Sequence, residues 1–348
     1  MAGDPEPVLR LAARQTLPAR VSQARTTTTT PIRPLSVSLT ATRALHASPI
    51  TQSKPRNPDP RHNPAHDIKP GADELIGRKR FADFDVAGKV FVVTGGAQGL
   101  GLAMAEALVE AGGKVYALDR SPEPAEEEWS EAQSRVSPDW GGSLHYRQQD
   151  VTDTRHLNDL MAAIAEENGG RLDGCVAAAG VQNVKPALEY TPQDVAQMLE
   201  INYTGVFATA QAAARQMFRY KTRGSICLIA SMSGLVANKG LLCAAYNSSK
   251  AGVIQLARNL AMEWSPVRED GAGGIRVNCI SPGHILTPMV LKNFEEVPGL
   301  RETWEGENMM GRLAETHEFK GAVLFLLSKA SSFMTGSNLV IDGGHTAW

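Results

Sequence analysis

The 348-residue sequence predicts an α/β fold: a doubly wound parallel sheet in a single domain, preceded by an N-terminal segment of different character. Short runs of apolar and β-branched residues recur without the polar alternation of a sheet that has one wet face. Longer stretches with helical spacing lie between them, and alternating strands and helices cover a parallel sheet on both faces. Near residue 81 the composition turns from basic and hydroxylated to this regular pattern, so the domain is expected over residues 81–348.

Lys89-Val90-Phe91-Val92-Val93 reads as the first buried strand. Glycines follow, then a helix over Ala103–Ala111 with Met104, Leu108 and Ala111 on one face. Val115–Leu118 and Leu144–Tyr146 are the next strands, and a helix is expected over Thr154–Glu167. Gly174–Ala178 is a strand, and Thr191-Pro192 starts a helix, with Thr as N-cap and Pro at the first helical position. Ser225–Ala230 (strand), Ala245–Trp264 (helix), Ile275–Ile280 (strand), Glu318–Leu327 (helix) and Asn338–Ile341 (strand) complete the alternation.

The N-terminal segment has its own signature. Arg10, Arg14, Arg20, Arg25, Arg33 and Arg43 punctuate a stretch rich in Ser, Thr and Ala, and only Asp4 and Glu6 are acidic before Asp59. Val8–Arg14 sets leucines and arginines on different sides of a short helix. Basic, hydroxylated, acid-poor and amphipathic character is that of a mitochondrial presequence, and no uninterrupted apolar core for a secretory signal is present. Arg43-Ala44-Leu45-His46-Ala47-Ser48 resembles the processing site of fungal mitochondrial precursors. Residues 1–55 are expected to target the mitochondrial matrix, an untargeted tail being the alternative; residues 56–80, rich in Pro, Asn and His, read as a linker.

The net charge of −2 and the lack of a basic stripe in the folded part argue against a nucleic-acid partner. No apolar run approaches the ~20 residues of a membrane span. Cys175, Cys227, Cys243 and Cys279 lie in or beside apolar stretches without metal-ligand spacing, and are expected as buried free thiols.

Thr94-Gly95-Gly96-Ala97-Gln98-Gly99-Leu100-Gly101 stands between the first strand and its helix. Glycines let the backbone approach a pyrophosphate, and the helix behind offers free N–H groups and the positive end of its dipole. Asp119 closes the next strand, where a carboxylate accepts from the adenosine ribose hydroxyls and repels the extra phosphate of NADP. NAD is therefore the expected cofactor, with NADP left open by Arg120 next door.

Tyr246 and Lys250 stand four apart, on one helical face. An ammonium nearby favours a phenolate, which brings Tyr246 toward the range of a working acid/base. With Thr94–Gly101, Glu200-Ile201-Asn202-Tyr203, Ser231-Met232-Ser233-Gly234, Tyr246–Lys250 and Pro282-Gly283 in this order, the chain from Gly88 onward resembles the short-chain dehydrogenase/reductase family. The resemblance implies a Rossmann fold and four catalytic residues. Tyr246 moves the proton, Ser231 (with Ser233 as the alternative) bonds the substrate oxygen, Lys250 holds the nicotinamide ribose, and Asn202 supports a water linking Lys250 to solvent. It further implies cofactor contacts from Gly95, Gln98, Gly99, Leu100, Gly101, Asp119, Arg120, Asp150, Val151, Ala179, Gly180, Asn202, Tyr246, Lys250, Pro282, Gly283, Ile285 and Thr287, and no metal. One departure stands out: Ala177-Ala178-Ala179-Gly180 replaces the family's Asn-Asn-Ala-Gly, which is mainly structural.

Ser231–Asn238, Ser281–Met289 and the ending Asp342-Gly343-Gly344-His345-Thr346-Ala347-Trp348 resemble the fungal polyol dehydrogenases and ketose reductases. That implies a small-molecule substrate of the sugar alcohol/ketose class: arabinitol, mannitol, sorbose or xylulose. Another carbonyl class, such as a 3-oxoacyl thioester or a secondary-metabolite ketone, and a non-catalytic NAD-binding scaffold are the alternatives. Leu286–Arg312, broken by Gly299, Gly306 and Gly311, is expected as a mobile substrate lid, with His284, Asn293 and Asn308 as candidates to bind hydroxyls. The resemblance also implies a homo-tetramer or homo-dimer.

Overall fold

A computed structural model describes residues 81–136 and 141–348. The expected targeting segment and linker lie outside the described residues. Seven parallel strands form one sheet in the order β3-β2-β1-β4-β5-β6-β7. They are β1 (Val90–Thr94), β2 (Lys114–Asp119), β3 (Ser143–Gln148), β4 (Gly174–Ala177), β5 (Ser225–Ile229), β6 (Arg276–Pro282) and β7 (Asn338–Ile341).

Side chains along a strand point alternately to the two faces, and both faces are apolar. Val90, Val92, Cys175, Ala177, Ile226 and Leu228 join one core with helices α3 (Thr154–Glu167), α5 (Val206–Arg219) and α6 (Ala244–Trp264). Phe91, Val93, Val176, Cys227 and Ile229 join the other with α1 (Gly99–Glu110), α2 (Glu126–Ser134) and α9 (Lys320–Leu327). All four cysteines are free and buried. Among the described residues no helix is long and apolar enough to cross a membrane.

The sheet order reverses between β1 and β4, and a crevice opens outside the carboxyl ends of strands at such a switch point. Helix α4 (Pro192–Leu199) starts as expected at Thr191, with a capping box to Asp194. It runs into a π-helical turn over Glu200–Gly205, the kind of local widening that marks functional segments.

The structure corrects several expectations. Helix α1 begins at Gly99, inside the glycine loop and not after it. Helix α2 carried no readable stripe because Trp129 and Ala132 are its buried residues in an otherwise acidic, polar sequence. The segment expected as a lid holds two helices, α7 (Pro288–Glu296) and α8 (Leu300–Glu307), where a glycine-broken stretch was expected. Gly299 separates them in the left-handed region (φ 76), while Gly306 lies within α8.

Candidate active site

The glycine loop turns under α1, and its glycines are sterically required. At Gly95 (φ +69) a Cβ would lie 2.9 Å from the Ala179 backbone; at Gly101 it would lie 2.0 Å from the Gly95 carbonyl oxygen. The loop thus packs against itself and against the β4 end, and Gly99, Leu100 and Gly101 at the start of α1 line the cleft, where an anion is favoured; the Gly99 N–H itself donates to a Glu128 carboxylate oxygen at 2.8 Å. Asp119 ends β2 with its carboxylate held by loop amides: Ser121 N–H donates to Oδ1 (3.2 Å) and Ala97 N–H to Oδ2 (3.3 Å). These features suit a dinucleotide with its pyrophosphate at α1 and its adenosine ribose at Asp119.

One cleft of about 340 Å³ runs from Asp119 past the loop to Tyr246. Every residue expected from the sequence to contact the cofactor lines it except Asn202. Ser121 and Gln149 at the adenosine end, and Met289 and Val290 at the lid, also line it. No spacing or motif in the sequence marked Ser121 or Gln149, whereas Met289 and Val290 fall within the segment expected as the lid.

At the other end, β5 leads into Ser231 and α6 carries Tyr246 and Lys250 on one face. Ser231 Oγ accepts from Ser233 N–H at 3.1 Å, which leaves its own O–H free to donate into the cleft. Ser233 Oγ is taken by Asn238 Nδ2 at 2.7 Å and does not line the cleft, so Ser231 is the serine presented. Lys250 Nζ donates to the Ile229 carbonyl at 2.9 Å and sits 5.7 Å from the centre of the Tyr246 ring.

Asn202 is fully buried behind the cleft, in the π-helical turn. Its Nδ2 donates to the Val181 carbonyl and its Oδ1 accepts from Val181 N–H, both at 2.8 Å. Both bonds pin the segment after β4. A Cβ on Gly180 would lie 3.3 Å from Asn202 Oδ1 and 3.4 Å from Lys250 Nζ, so the two side chains converge where Gly180 leaves room. Where the asparagine of the related motif is replaced by Ala178, Ala179 N–H donates to Thr94 Oγ1 at a long 3.4 Å across the ends of β1 and β4.

The electrostatics differ from the expectation for Tyr246. Burial pushes the phenol up to about 12, and a hydrogen bond with Ser231 opposes this only in part. Burial also pushes Lys250 down to about 8. Desolvation disfavours both charged forms and outweighs the mutual attraction that the i, i+4 spacing implied.

The three hydroxyl-binding candidates do not line the cleft. His284 stacks on Trp304 at 3.6 Å between ring centres, Asn308 Nδ2 donates to the Arg312 carbonyl at 2.9 Å, and Asn293 bonds Gln182 at 2.7 Å. All three are buried. Among the described residues no group of three His, Cys, Asp or Glu is placed to hold a metal ion.

Known proteins match this chain over the folded part. The family described as enoyl-(acyl carrier protein) reductase matches residues 95–346. The chain is 40% identical over 265 residues to a short chain dehydrogenase/reductase of Aspergillus versicolor, across 76% of this chain and 89% of that one. It is 36% identical over 275 residues to the ribulose-forming D-arabinitol 2-dehydrogenase of Candida albicans, across 76% and 95%. Among solved structures, the NADPH-dependent 3-quinuclidinone reductase of Rhodotorula rubra superposes with a TM-score of 0.66 at 33% identity, across 76% and 94%.

Proposed function

The chain belongs to the short-chain dehydrogenase/reductase family, and from that premise we propose that it interconverts a sugar alcohol and its ketose, with NAD as the preferred cofactor. Family membership makes it an NAD(P)-dependent oxidoreductase acting on CH–OH groups, interconverting a secondary alcohol and a ketone. The observation that carries the reading is the meeting of Ser231, Tyr246 and Lys250 at one end of a cleft whose other end is Asp119. The 36% identity to a D-arabinitol 2-dehydrogenase, across 95% of that protein, supports the sugar-alcohol class.

In this reading Tyr246 Oη gives its proton to the ketone oxygen in reduction and takes it from the hydroxyl in oxidation. Ser231 O–H donates to the same oxygen, where negative charge develops. Lys250 holds the nicotinamide ribose and, through Ile229, keeps its fixed place under Tyr246. Asn202 holds the Val181 backbone and, with Gly180, shapes the floor of that end. The nicotinamide, when bound, supplies or accepts the hydride and in its oxidised form adds a positive charge. The Asp119 carboxylate favours NAD by accepting from two ribose hydroxyls and repelling a 2′-phosphate.

A second reading, reduction of a less hydroxylated ketone, draws on Val184, Leu286, Val290 and Phe294, apolar side chains in the cluster that borders Tyr246. Initial rates with NADH and NADPH over sugar alcohols, ketoses and an oxoacyl thioester separate the two. Turnover of a pentitol or hexitol with NAD is expected; turnover of the thioester alone sinks the sugar-alcohol reading.

We further propose matrix localisation and a homo-oligomer of two or four chains. A fluorescent fusion of residues 1–55 is expected in mitochondria, and cytosolic fluorescence refutes it. Light scattering of the purified chain is expected to give a dimer or tetramer, and a monomer refutes that.

A further inference from the structure

Gln149 follows β3 directly, and its N–H donates to the Asp119 carbonyl at 2.6 Å. It lines the adenosine end of the cleft, yet it is only 2% exposed. Its Nε2 donates to two main-chain carbonyls, that of Asp150 at 2.6 Å and that of Asp153 at 3.2 Å. A carbonyl accepts and never donates, so these two bonds fix which way round the amide stands. Its Oε1 is left buried, with no hydrogen-bond partner among the described residues. A desolvated acceptor without a donor is unfavourable, and an apolar side chain of similar size would avoid that cost.

Of the residues that line the cleft, Gln149 alone carries a buried side-chain nitrogen or oxygen without a partner. Its neighbours narrow what that oxygen can meet. Val151 lines the same stretch, is buried, and offers an apolar surface to a flat base. The Asp119 carboxylate is placed for the ribose hydroxyls. Asp150 is exposed, and its Oδ1 accepts from the N–H and the O–H of Thr152 at 2.9 and 2.8 Å, which closes the turn into α3. The adenine of a dinucleotide brings one group that serves only as a donor, its exocyclic amine.

We propose that Gln149 is a specificity-determining residue for the base of the cofactor: its Oε1 accepts a hydrogen bond from the exocyclic amine of adenine. The inference rests on a dinucleotide lying with its adenosine at Asp119, and it holds for NAD and NADP alike because both carry the same base. The bonds from Nε2 to Asp150 and Asp153 hold the amide in place before any cofactor binds, so little freedom is lost on binding. A base with a carbonyl in place of the amine sets acceptor against acceptor and leaves both desolvated, which discriminates against it.

The test titrates the purified full chain with NADH and with its hypoxanthine analogue, in which a carbonyl replaces the amine, and follows the fluorescence of the bound nicotinamide. The wild type is expected to bind NADH at least about ten-fold more tightly than the analogue. Gln149→Met, apolar and of similar size, should cut that ratio to about two-fold or less, chiefly by weakening NADH. Gln149→Asn keeps an amide but is one methylene shorter, so it cannot span from the α3 carbonyls to the base. It should lose the ratio as well, and it guards against a folding defect in Gln149→Met. Asp150→Ala should keep the ratio, with any loss falling on both dinucleotides alike. Equal wild-type affinities, or a ratio that survives in both Gln149 variants, overturn the inference in favour of a merely structural role and leave the cofactor site intact. A ratio that collapses in Asp150→Ala alone gives the amine to Asp150 and also overturns it. A wild type that binds neither dinucleotide overturns the cofactor reading together with the inference.

Discussion

Lys250 donates to the main-chain carbonyl of Ile229 at 2.9 Å, and this bond anchors a buried ammonium at the carboxyl end of β5, beside the Tyr246 ring. Strand and helix thus fix the lysine independently of any bound cofactor.

That burial has a thermodynamic signature. The folded pKa of Lys250, about 8, lies below the ordinary 10.5, so the unfolded chain binds more protons between these values and stability rises with pH across that window. The penalty is fully present below pH 8 and amounts to roughly 3 kcal/mol at 1.36 kcal/mol per unit. Lys250→Met removes it and loses a hydrogen bond of about 1 kcal/mol. The variant should be inactive yet more stable than the wild type at pH 7, with the gap closing from pH 8 to 10.5. Urea unfolding of the cofactor-free proteins at several pH values checks this; equal pH slopes contradict it.

Gly101 has no room for a side chain, its Cβ position being 2.0 Å from the Gly95 carbonyl oxygen. Gly101→Ala should push the loop apart, weaken NADH binding at least about ten-fold, or 1.4 kcal/mol, and lower the melting temperature. Fluorescence titration of NADH measures the first effect; unchanged affinity means the loop does not carry the pyrophosphate.

Asp119 sets the cofactor preference through its charge. Asp119→Asn keeps an acceptor for Ser121 or Ala97 N–H and removes the repulsion. The ratio of kcat/KM for NADPH over NADH should rise about ten-fold or more. A constant ratio would move the discrimination to Arg120 or elsewhere.

Helix α8 rests on a buried ring stack. His284 lies against Trp304, and Trp304 Nε1 and His284 Nε2 have no hydrogen-bond partner among the described residues. Trp304→Phe removes an unpaired donor and should change stability by no more than about 1 kcal/mol, whereas Trp304→Ala should lose about 3–5 kcal/mol. Burial, helped by His345 and opposed by Asp342, pushes His284 down to about 3. The unfolded histidine titrates near 6.5, so stability falls as pH drops from 6.5 toward 3. His284→Phe should flatten that slope, and thermal melts across the range would show it.

Much of this was legible in the sequence for local reasons. The strands declared themselves because both faces of a parallel sheet are buried, and α3 because Leu157, Met161, Ile164 and Ala165 form a clean stripe closed by an Asp153 cap. The cofactor end was legible because close backbone approach demands glycines at fixed places. Helix α2 was hidden by its acidic surface, and the lid by glycines that read as breaks although one lies within a helix. The electrostatics of Tyr246 and Lys250 were not legible, because desolvation depends on how the surrounding elements close. Nor was the pairing of Asn293 with Gln182, 111 positions apart, since nothing local links them.

The central claim is that Tyr246 transfers the proton, and the most direct measurement is turnover by Tyr246→Phe, which removes one oxygen and keeps the ring. With NADH affinity held near that of the wild type, kcat should fall by about 10²–10⁴. Undiminished turnover in a variant that still binds NADH would contradict the account.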